Sequence, residues 1–584
     1  MAPNDHSFRR LNNGSGASIL IVSAFALSLF LFRAGDLPLT DPDEGRYAEV
    51  SREMVTGGDW VVPRLFGIPY LEKPPLLYWL TAIAFCTFGP SEIAARLAPA
   101  LAGAFGVLFA GLFARRHLSS RAGNMTAIVL ASTALYTTLA RTVLTDMLFA
   151  IALSGALFAL YDYREAATKS LAAALSFWVF LAAATLSKGP VAIVLCGLVI
   201  AADAAFGTRP SRPDSNRCGP EGDVRFSECF GRSWRTLFAP PLLFSAPLFL
   251  AIAIPWFGVV QRRYPGFLGF YLWKEHLLRA AGAEHAEPLY WFVPWLLGGL
   301  LPWTPFAIAA VPTWRIAFGE RSAEGRVVHF LLVWALTVFV VFSLARGKLA
   351  TYILPMFPPL AVLIGNFLDR IAHGRASSRS PTLAFGAAGF VLLIGGVAAS
   401  VGASIVFTGL GAAALTLLLA AVLAGGVATI LWRGTRSRKP LAALLFGTLS
   451  LYAGLATAAP GLCRSFTAHP LIAVVGRHLA AGDSYALWGA YLPSAAFYLE
   501  RPPLLVGTRP ELRFGTSVAG SSTIVRDLGE LKARMTDGRI YVFTDNRAKR
   551  ERELRETFGD VHLIARNYVA AVWLCPLSSP LQDN

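Results

Sequence analysis

Charge is scarce in this sequence. Only 15% of its 584 residues are Asp, Glu, Lys or Arg, where a soluble globular chain carries about a quarter. That scarcity excludes an ordinary soluble domain. The six cysteines form no CxxC pair and no Cys/His zinc spacing, so no structural metal site is written into them. A P-loop is missing, as are a dinucleotide glycine fingerprint opening a βαβ unit and a Gly-x-Ser-x-Gly elbow with triad context. These absences set aside a Walker-driven pump and a nucleotide-sugar enzyme of Rossmann type. The first apolar run, about 18–32, ends in Arg33 without a small-residue cleavage site and reads as an anchored span. No internal repeat is visible.

What is present is apolar. Hydrophobic residues make up 55% of the chain and the mean hydropathy is +0.53. Runs of roughly 18 or more apolar residues recur, each long enough to cross a bilayer as a helix, so this is a polytopic membrane protein. The net charge of +16 does not imply nucleic acid, because the basic residues sit mostly in short loops between apolar runs, where topology explains them. One choice decides the topology. If the short, aromatic-flanked run 75–89 lies along the membrane surface, the clusters Arg9/Arg10, Arg115/Arg116/Arg121, Arg164/Lys169, 209–235, Arg315/Arg321/Arg326, Arg370/Arg375/Arg379 and 433–439 all fall inside.

That choice gives about thirteen spans: 17–35, 95–114, 122–140, 146–162, 170–187, 189–206, 237–257, 291–313, 327–345, 351–368, 383–406, 409–432 and 441–460. The N-terminus is then inside and the C-terminus outside. Residues 1–460 form a membrane domain, with a first outer loop at 36–94, juxtamembrane helices within it, and a second outer loop at 258–290. The Pro-, Ser-, Gly- and Arg-rich stretch 207–235 reads as a flexible cytoplasmic loop. Residues 461–584 change character. Strands are expected at 485–491, 539–544, 561–565 and 568–574, and amphipathic helices at 524–535 and 547–558. This is a small α/β domain on the outer face, either a structural cap or a contributor to substrate contact. Cys463 and Cys575 would share an oxidising compartment, and a disulfide between them is open.

The first outer loop carries most of the chemistry. Its stretch 41–79 reads DPDEGRYAEVSREMVTGGDWVVPRLFGIPYLEKPPLLYW. Asp43–Val55 has helical spacing, with Tyr47, Val50 and Met54 as its apolar stripe. Asp43 at its start is either an N-cap or a carboxylate that orients or deprotonates a nucleophile. Lys73 is held before Pro74–Pro75, as a phosphate ligand or as a lysine snorkelling to the interface. Asp146 starts the fourth span, as a helix-start cap or as a functional acid. Lys188, Arg346 and Lys348 are cations on the face that positive-inside bias would leave poor in them. His276 is a ligand or a solvated helix face, and Tyr352 a ligand or an interface aromatic. Several cations with a few carboxylates at one membrane face describe a site for an anionic headgroup, most simply a phosphate.

The stretch 41–79, with LeuThrAspMet at 144–147, LeuSerLysGlyPro at 186–190, GluHisLeuLeuArg at 275–279 and GlyLysLeuAlaThrTyrIleLeuProMetPheProProLeuAla at 347–361, resembles the ArnT-type glycosyltransferases, and more distantly the protein O-mannosyltransferases. TyrLeuProSerAlaAlaPheTyrLeuGluArgPro at 491–502 is similar to the same family's outer domain. The resemblance implies a GT-C fold of thirteen spans in a bacterial inner membrane, with a periplasmic active site. It implies an undecaprenyl-phosphate sugar as donor, 4-amino-4-deoxy-L-arabinose first among the sugars, and lipid A or another envelope glycan as acceptor. By the same resemblance Asp43 is the key carboxylate and Asp146 the second acid. Arg46, Tyr47, Tyr70, Lys73, Lys188 and Tyr352 line the phosphate and acceptor pocket, with Arg346 and Lys348 beside them. Glu72 and His276 match a pair that can hold zinc, and no other cofactor is implied.

Two other functions fit the same architecture. One is a transferase that uses a polyprenyl-phosphate sugar but glycosylates protein or another polysaccharide. The other is a transporter of lipid-linked sugar, which would place ionisable groups near the bilayer midplane in repeated halves. Here they gather at one face. A bare membrane anchor for the outer domain would leave the first-loop charges unexplained.

Overall fold

The structure is a computed structural model. It describes residues 15–166, 168–206, 240–278, 286–320, 322–374, 380–406, 415, 419–426, 439–480, 482–507, 509–520, 522–535 and 539–576. The basic stretch 207–235 and most of the span expected at 409–432 lie outside the described residues.

Helices dominate up to residue 466. They begin with α1 (Ser15–Leu31), α2 (Asp43–Gly57), α3 (Leu76–Phe88), α4 (Glu92–His117), α5 (Ser120–Ala131), α6 (Ala134–Leu139), α7 (Thr145–Glu165), α8 (Leu171–Lys188) and α9 (Val191–Phe206). Among the described residues eight helices are long and apolar enough to cross a membrane, or nine if one bent pair counts as a span. Each expected span from 17–35 to 383–406, and 441–460, falls on helix. Two of them are not straight. The span at 122–140 is interrupted: α5 stops where the Ser132 and Thr133 hydroxyls bond back to Ile128 and Val129 carbonyls, and α6 restarts at Ala134. The span at 291–313 is a pair of helices, Leu289–Gly299 and Thr304–Phe318, bent by 109°. The short run 75–89 forms α3, only 13 residues long, and its N-terminus is set by Pro74–Pro75, which a helix cannot extend back through.

The sequence punctuates these helices locally. Ser91, Ser119, Ser170 and Ser322 each cap a helix N-terminus by accepting the backbone N–H three residues on. The bundle core is one contiguous cluster of Ala, Leu, Val, Phe and Trp running from α1 through the helix Phe357–Ala372. Phe25, Phe105, Phe244, Leu336 and Phe390 are exposed, which suits side chains that would face lipid.

The C-terminal part is a six-stranded sheet. The first outer loop contributes only the short hairpin β1 (Arg64–Leu65) and β2 (Ile68–Pro69). The sheet holds β3 (Ser484–Trp488), β4 (Leu504–Val506), β5 (Ile524–Val525), β6 (Arg539–Thr544), β7 (His562–Arg566) and β8 (Ala571–Pro576), in the order β5-β4-β3-β6-β8-β7. β3 to β6 are mutually parallel, and β8 runs antiparallel between β6 and β7. The four expected strands are there. The helix expected at 524–535 instead opens with strand β5, and Asp527 then caps a shorter helix, Leu528–Arg534. β4 was not foreseen: Leu504–Val506 is only three residues long and has no alternation to betray it. Cys575 is a free, buried thiol in β8, so it takes no part in a disulfide; the Cys463 side chain lies outside the described residues.

This sheet domain does not hang separately from the first loop. Leu39, Tyr47, Tyr70 and Tyr78 share one buried cluster with Leu471, Tyr485, Leu492, Phe497 and Leu505. The boundary near 460 is also not a break in the chain, since the helix Lys439–Phe466 runs through it.

Candidate active site

The site is built around the first turn of α2. Asp43 is its first residue, but the cap position belongs to Pro42 and no side chain caps the helix. The carboxylate of Asp43 is therefore not spent on capping. It pairs with Arg46 one turn on and keeps 52% of its side chain exposed. Arg46 is buried, with its guanidinium 5.2 Å from the Tyr47 ring centroid and 5.7 Å from that of Tyr70. Aromatic faces attract such a cation, more strongly where water is excluded.

Tyr47 shows how far the acids converge. Burial pushes its phenol pKa up, Arg46 pulls it down, and Asp43, Asp146 and Glu72 push it up again. Carboxylates from three segments thus act electrostatically on one hydroxyl. Tyr70, fully buried, donates to Glu72 Oε2 at 3.2 Å.

Asp146 and Lys188 arrive from the bundle. α7 begins at Thr145 and α8 ends at Lys188, and the two helices pack against each other. The start of one and the end of the other therefore meet at the same face. Asp146 makes no cap hydrogen bond and pairs with Lys188. Lys188 Nζ also sits 4.5 Å from the Tyr352 ring centroid. Asp43, Arg46, Tyr47, Tyr70, Glu72, Asp146, Lys188 and Tyr352 are thereby linked through direct or shared neighbours. Lys73 follows Glu72 and is half-buried.

Lys348 and Arg346 contact the second outer loop. Lys348 is buried and donates to the Glu287 carbonyl at 2.5 Å, beside an antiparallel bridge between Ala286 and Gly347. It ties the second outer loop to the turn before Tyr352. Arg346 is exposed on that turn, and its carbonyl accepts the Glu287 N–H. His276 belongs to the helix Phe270–Leu278, and its side chain lies outside the described residues. Among the described residues no three His, Cys, Asp or Glu side chains gather as a metal site.

Sequence reasoning missed the frame that holds the loop. Glu44 is buried between Arg96 of α4, the Val143 N–H and Thr40. Burial alone would raise its pKa, but Arg96 and these hydrogen bonds hold it below the usual carboxylate range. Arg96 also donates to the carbonyls of Ala34, Leu37 and Pro38. An arginine at the head of an apolar run was the available signal. Asp41 makes the other fixing contact. Its carboxylate accepts the Ser494 N–H at 2.9 Å and the Ser494 hydroxyl, 453 residues away. Gly45 lets the backbones meet there, because a Cβ would stand 2.5 Å from Ser494 N.

The match to known proteins follows this geometry. The family model "Dolichyl-phosphate-mannose-protein mannosyltransferase" matches residues 18–271. The undecaprenyl phosphate-alpha-4-amino-4-deoxy-L-arabinose arabinosyl transferase of Edwardsiella ictaluri is 33% identical over 58% of this chain and 57% of its own length. That of Pseudomonas aeruginosa (strain UCBPP-PA14) is 33% identical over 60% and 59%. The chain thus spans under two thirds of the length of these relatives. The crystal structure of ArnT from Cupriavidus metallidurans bound to undecaprenyl phosphate superposes with a TM-score of 0.78 at 26% identity, covering 97% of this chain and all of that one. Along nearly its whole length the chain is similar to ArnT. It is a polytopic α-helical membrane protein of GT-C fold with a small α/β domain at its C-terminus, and the apo structure of the same Cupriavidus protein matches nearly as well, with a TM-score of 0.77.

Proposed function

We propose that the protein is an inner-membrane glycosyltransferase that moves a sugar, 4-amino-4-deoxy-L-arabinose first among candidates, from undecaprenyl phosphate to lipid A or another envelope glycan. The observation that carries this is the convergence of Asp43, Arg46, Tyr47, Tyr70, Asp146 and Lys188 at one end of the bundle. The likeness to a structure holding undecaprenyl phosphate supports the donor. Cations and buried phenols would cradle the lipid phosphate as it leaves the anomeric carbon. Arg46, Lys73 and Lys188 would stabilise the charge it gains.

Asp43 then has one of two tasks. A phosphate acceptor is already an anion and needs no base, so Asp43 would orient it or steady positive charge on the sugar ring. A hydroxyl acceptor would need Asp43 as its base. In this reading the site and the C-terminal domain are periplasmic and the N-terminus is cytoplasmic, in keeping with the basic loops on the opposite side. Zinc at Glu72 and His276 would add positive charge, and comparing donor binding by metal-stripped and zinc-loaded protein tests it. The mannosyltransferase family match over 18–271 favours a second reading, a protein acceptor.

The test is sugar transfer in proteoliposomes, with undecaprenyl-phosphate sugars offered singly against lipid A and against protein. Transfer to lipid A supports the proposal. Movement of lipid-linked sugar across the bilayer without transfer refutes it in favour of a transporter.

A further inference from the structure

The four parallel strands of the outer domain leave a crevice that the transfer site does not use. They lie in the order β5-β4-β3-β6. The chain therefore steps from β3 to β4 to β5 in one direction and returns to the far side of β3 with β6. In open α/β sheets, ligands bind outside the carboxyl ends of the strands, where the strand order reverses in this way. A cavity of about 440 Å³ lies at these ends, lined by Trp488 at the end of β3, Val506 and Gly507 at the end of β4, and Arg526 just after β5. That volume falls within the roughly 300–1,000 Å³ of small-molecule sites.

The crevice is on the face of the sheet turned away from the first loop. Successive residues of a strand point to opposite faces. Tyr485, Leu487 and Leu505 join the cluster that holds Tyr47 and Tyr70. Ala486 and Val506 pack instead with Leu531 and Leu554, from the helices Leu528–Arg534 and Ala548–Phe558, and Trp488 packs against them.

Its polar groups are set in place. Arg550 lies over the Trp488 ring at 4.2 Å and donates to Asp545 Oδ1 at 3.2 Å, so it spans from β3 to the residue after β6. Gly489, at φ 80°, leaves room for that pair, because a Cβ would stand 2.9 Å from both Arg550 Nε and Asp545 Oδ2. Glu553, one turn on from Arg550, also lines the cavity. Its Oε2 is enclosed and accepts no hydrogen bond among the described residues, with Arg550 Nη1 3.5 Å away. An enclosed acceptor left unmet is costly, and a ligand hydroxyl would meet it.

The charges of the lining are mixed: Arg526 and Arg550 against Asp527, Glu553 and Glu556. A phosphate would meet three acids there, and an ammonium two guanidinium groups. The turn after β3 reads GlyAlaTyrLeuProSer, without the glycine fingerprint of a dinucleotide site. A neutral ligand rich in hydroxyls suits both signs, since a hydroxyl donates to a carboxylate and accepts from a guanidinium. Trp488 adds apolar surface for the C–H groups of a sugar ring.

We propose that this crevice is a second saccharide site, which binds a neutral sugar ring away from the transfer site. It does not rest on the transferase reading, because its binding is measured without transfer.

The experiment uses the full chain in nanodiscs free of sugar-headed detergent and reads binding by saturation-transfer NMR. A neutral hexose disaccharide, the matching uronate and the matching amino sugar are titrated into wild type, Trp488→Ala and Glu553→Ala. Wild type binds the neutral sugar more tightly than either charged one. Both variants weaken it by about tenfold or more and bind undecaprenyl phosphate as wild type does, which checks folding. No binding of the neutral sugar by wild type at millimolar concentration, tighter binding of a charged sugar, or unaltered binding by Glu553→Ala overturns the proposal. Should Trp488→Ala no longer bind undecaprenyl phosphate, Glu553→Ala alone decides. Two further probes separate the sources of the sugar. A loss in Glu553→Ala for dephosphorylated lipopolysaccharide core oligosaccharide assigns the crevice to the acceptor side. A loss for an undecaprenyl-phosphate pentose assigns it to the donor side, and a loss for neither makes it a site for free sugar.

Discussion

Arg96 of α4 donates through Nε and Nη2 to the two carboxylate oxygens of Glu44, at 2.9 and 2.7 Å, with only 2% of the arginine and 3% of the glutamate exposed. Glu44 is the neighbour of Asp43, so this fork fixes the turn on which the key carboxylate stands. Removing one partner of a buried pair strands the other charge. Arg96→Met is expected to destabilise the protein by about 3–5 kcal/mol. Arg96→Met with Glu44→Gln is expected to recover part of that loss. Thermal unfolding in detergent checks both, and additive losses would show that the two do not act as a pair.

Asp41 gives a prediction about pH. Burial pushes its carboxyl up to about 7, against the opposing pull of its Ser494 hydrogen bonds. An ordinary aspartate titrates near 3.9, so the folded state holds a proton that the unfolded chain releases. The sign follows: the stability from this group is fully present below about pH 4 and is lost as pH rises through about 7. Asp41→Asn keeps a neutral side chain at every pH. Its thermal midpoint should therefore fall less than that of wild type between pH 5 and pH 8, and an equal fall would remove Asp41 as the cause.

Arg46 is held by Asp43 and two aromatic rings. Lysine keeps the charge but not the planar fork or its stacking. Arg46→Lys should weaken undecaprenyl phosphate binding about tenfold or more while the thermal midpoint stays close to wild type. Titration with undecaprenyl phosphate measures this, and unaltered affinity would mean that Arg46 does not meet the phosphate.

The membrane part was legible because bilayer thickness imposes one long apolar run per helix. Asp146, Lys188 and Tyr352, which the loop pattern expects on one face, are neighbours in the structure. Pairings were not legible. Lys348 reads as a cation for a phosphate, and nothing in the sequence records that its ammonium meets the Glu287 carbonyl, because a side chain's charge does not give its reach. Asp41 and Ser494 are 453 residues apart, and no local pattern records such a contact. β4 and β5 are too short to alternate, so the order of the sheet could not be read.

The Asp146–Lys188 pair joins α7 to α8 next to Tyr352. Lys188→Met should depress transfer more than donor binding, because charge on the departing phosphate peaks late in the reaction. A change confined to KM would instead make Lys188 a plain binding residue.

The most direct measurement is sugar transfer by Asp43→Asn beside wild type, in proteoliposomes carrying an undecaprenyl-phosphate amino sugar and lipid A. Asn keeps the size at the first turn of α2, removes the charge and replaces one acceptor oxygen with an amide donor. The variant should fold, bind undecaprenyl phosphate and lose transfer by on the order of a hundredfold or more. Turnover like that of wild type would contradict the role of Asp43 and, with it, the location of the active site.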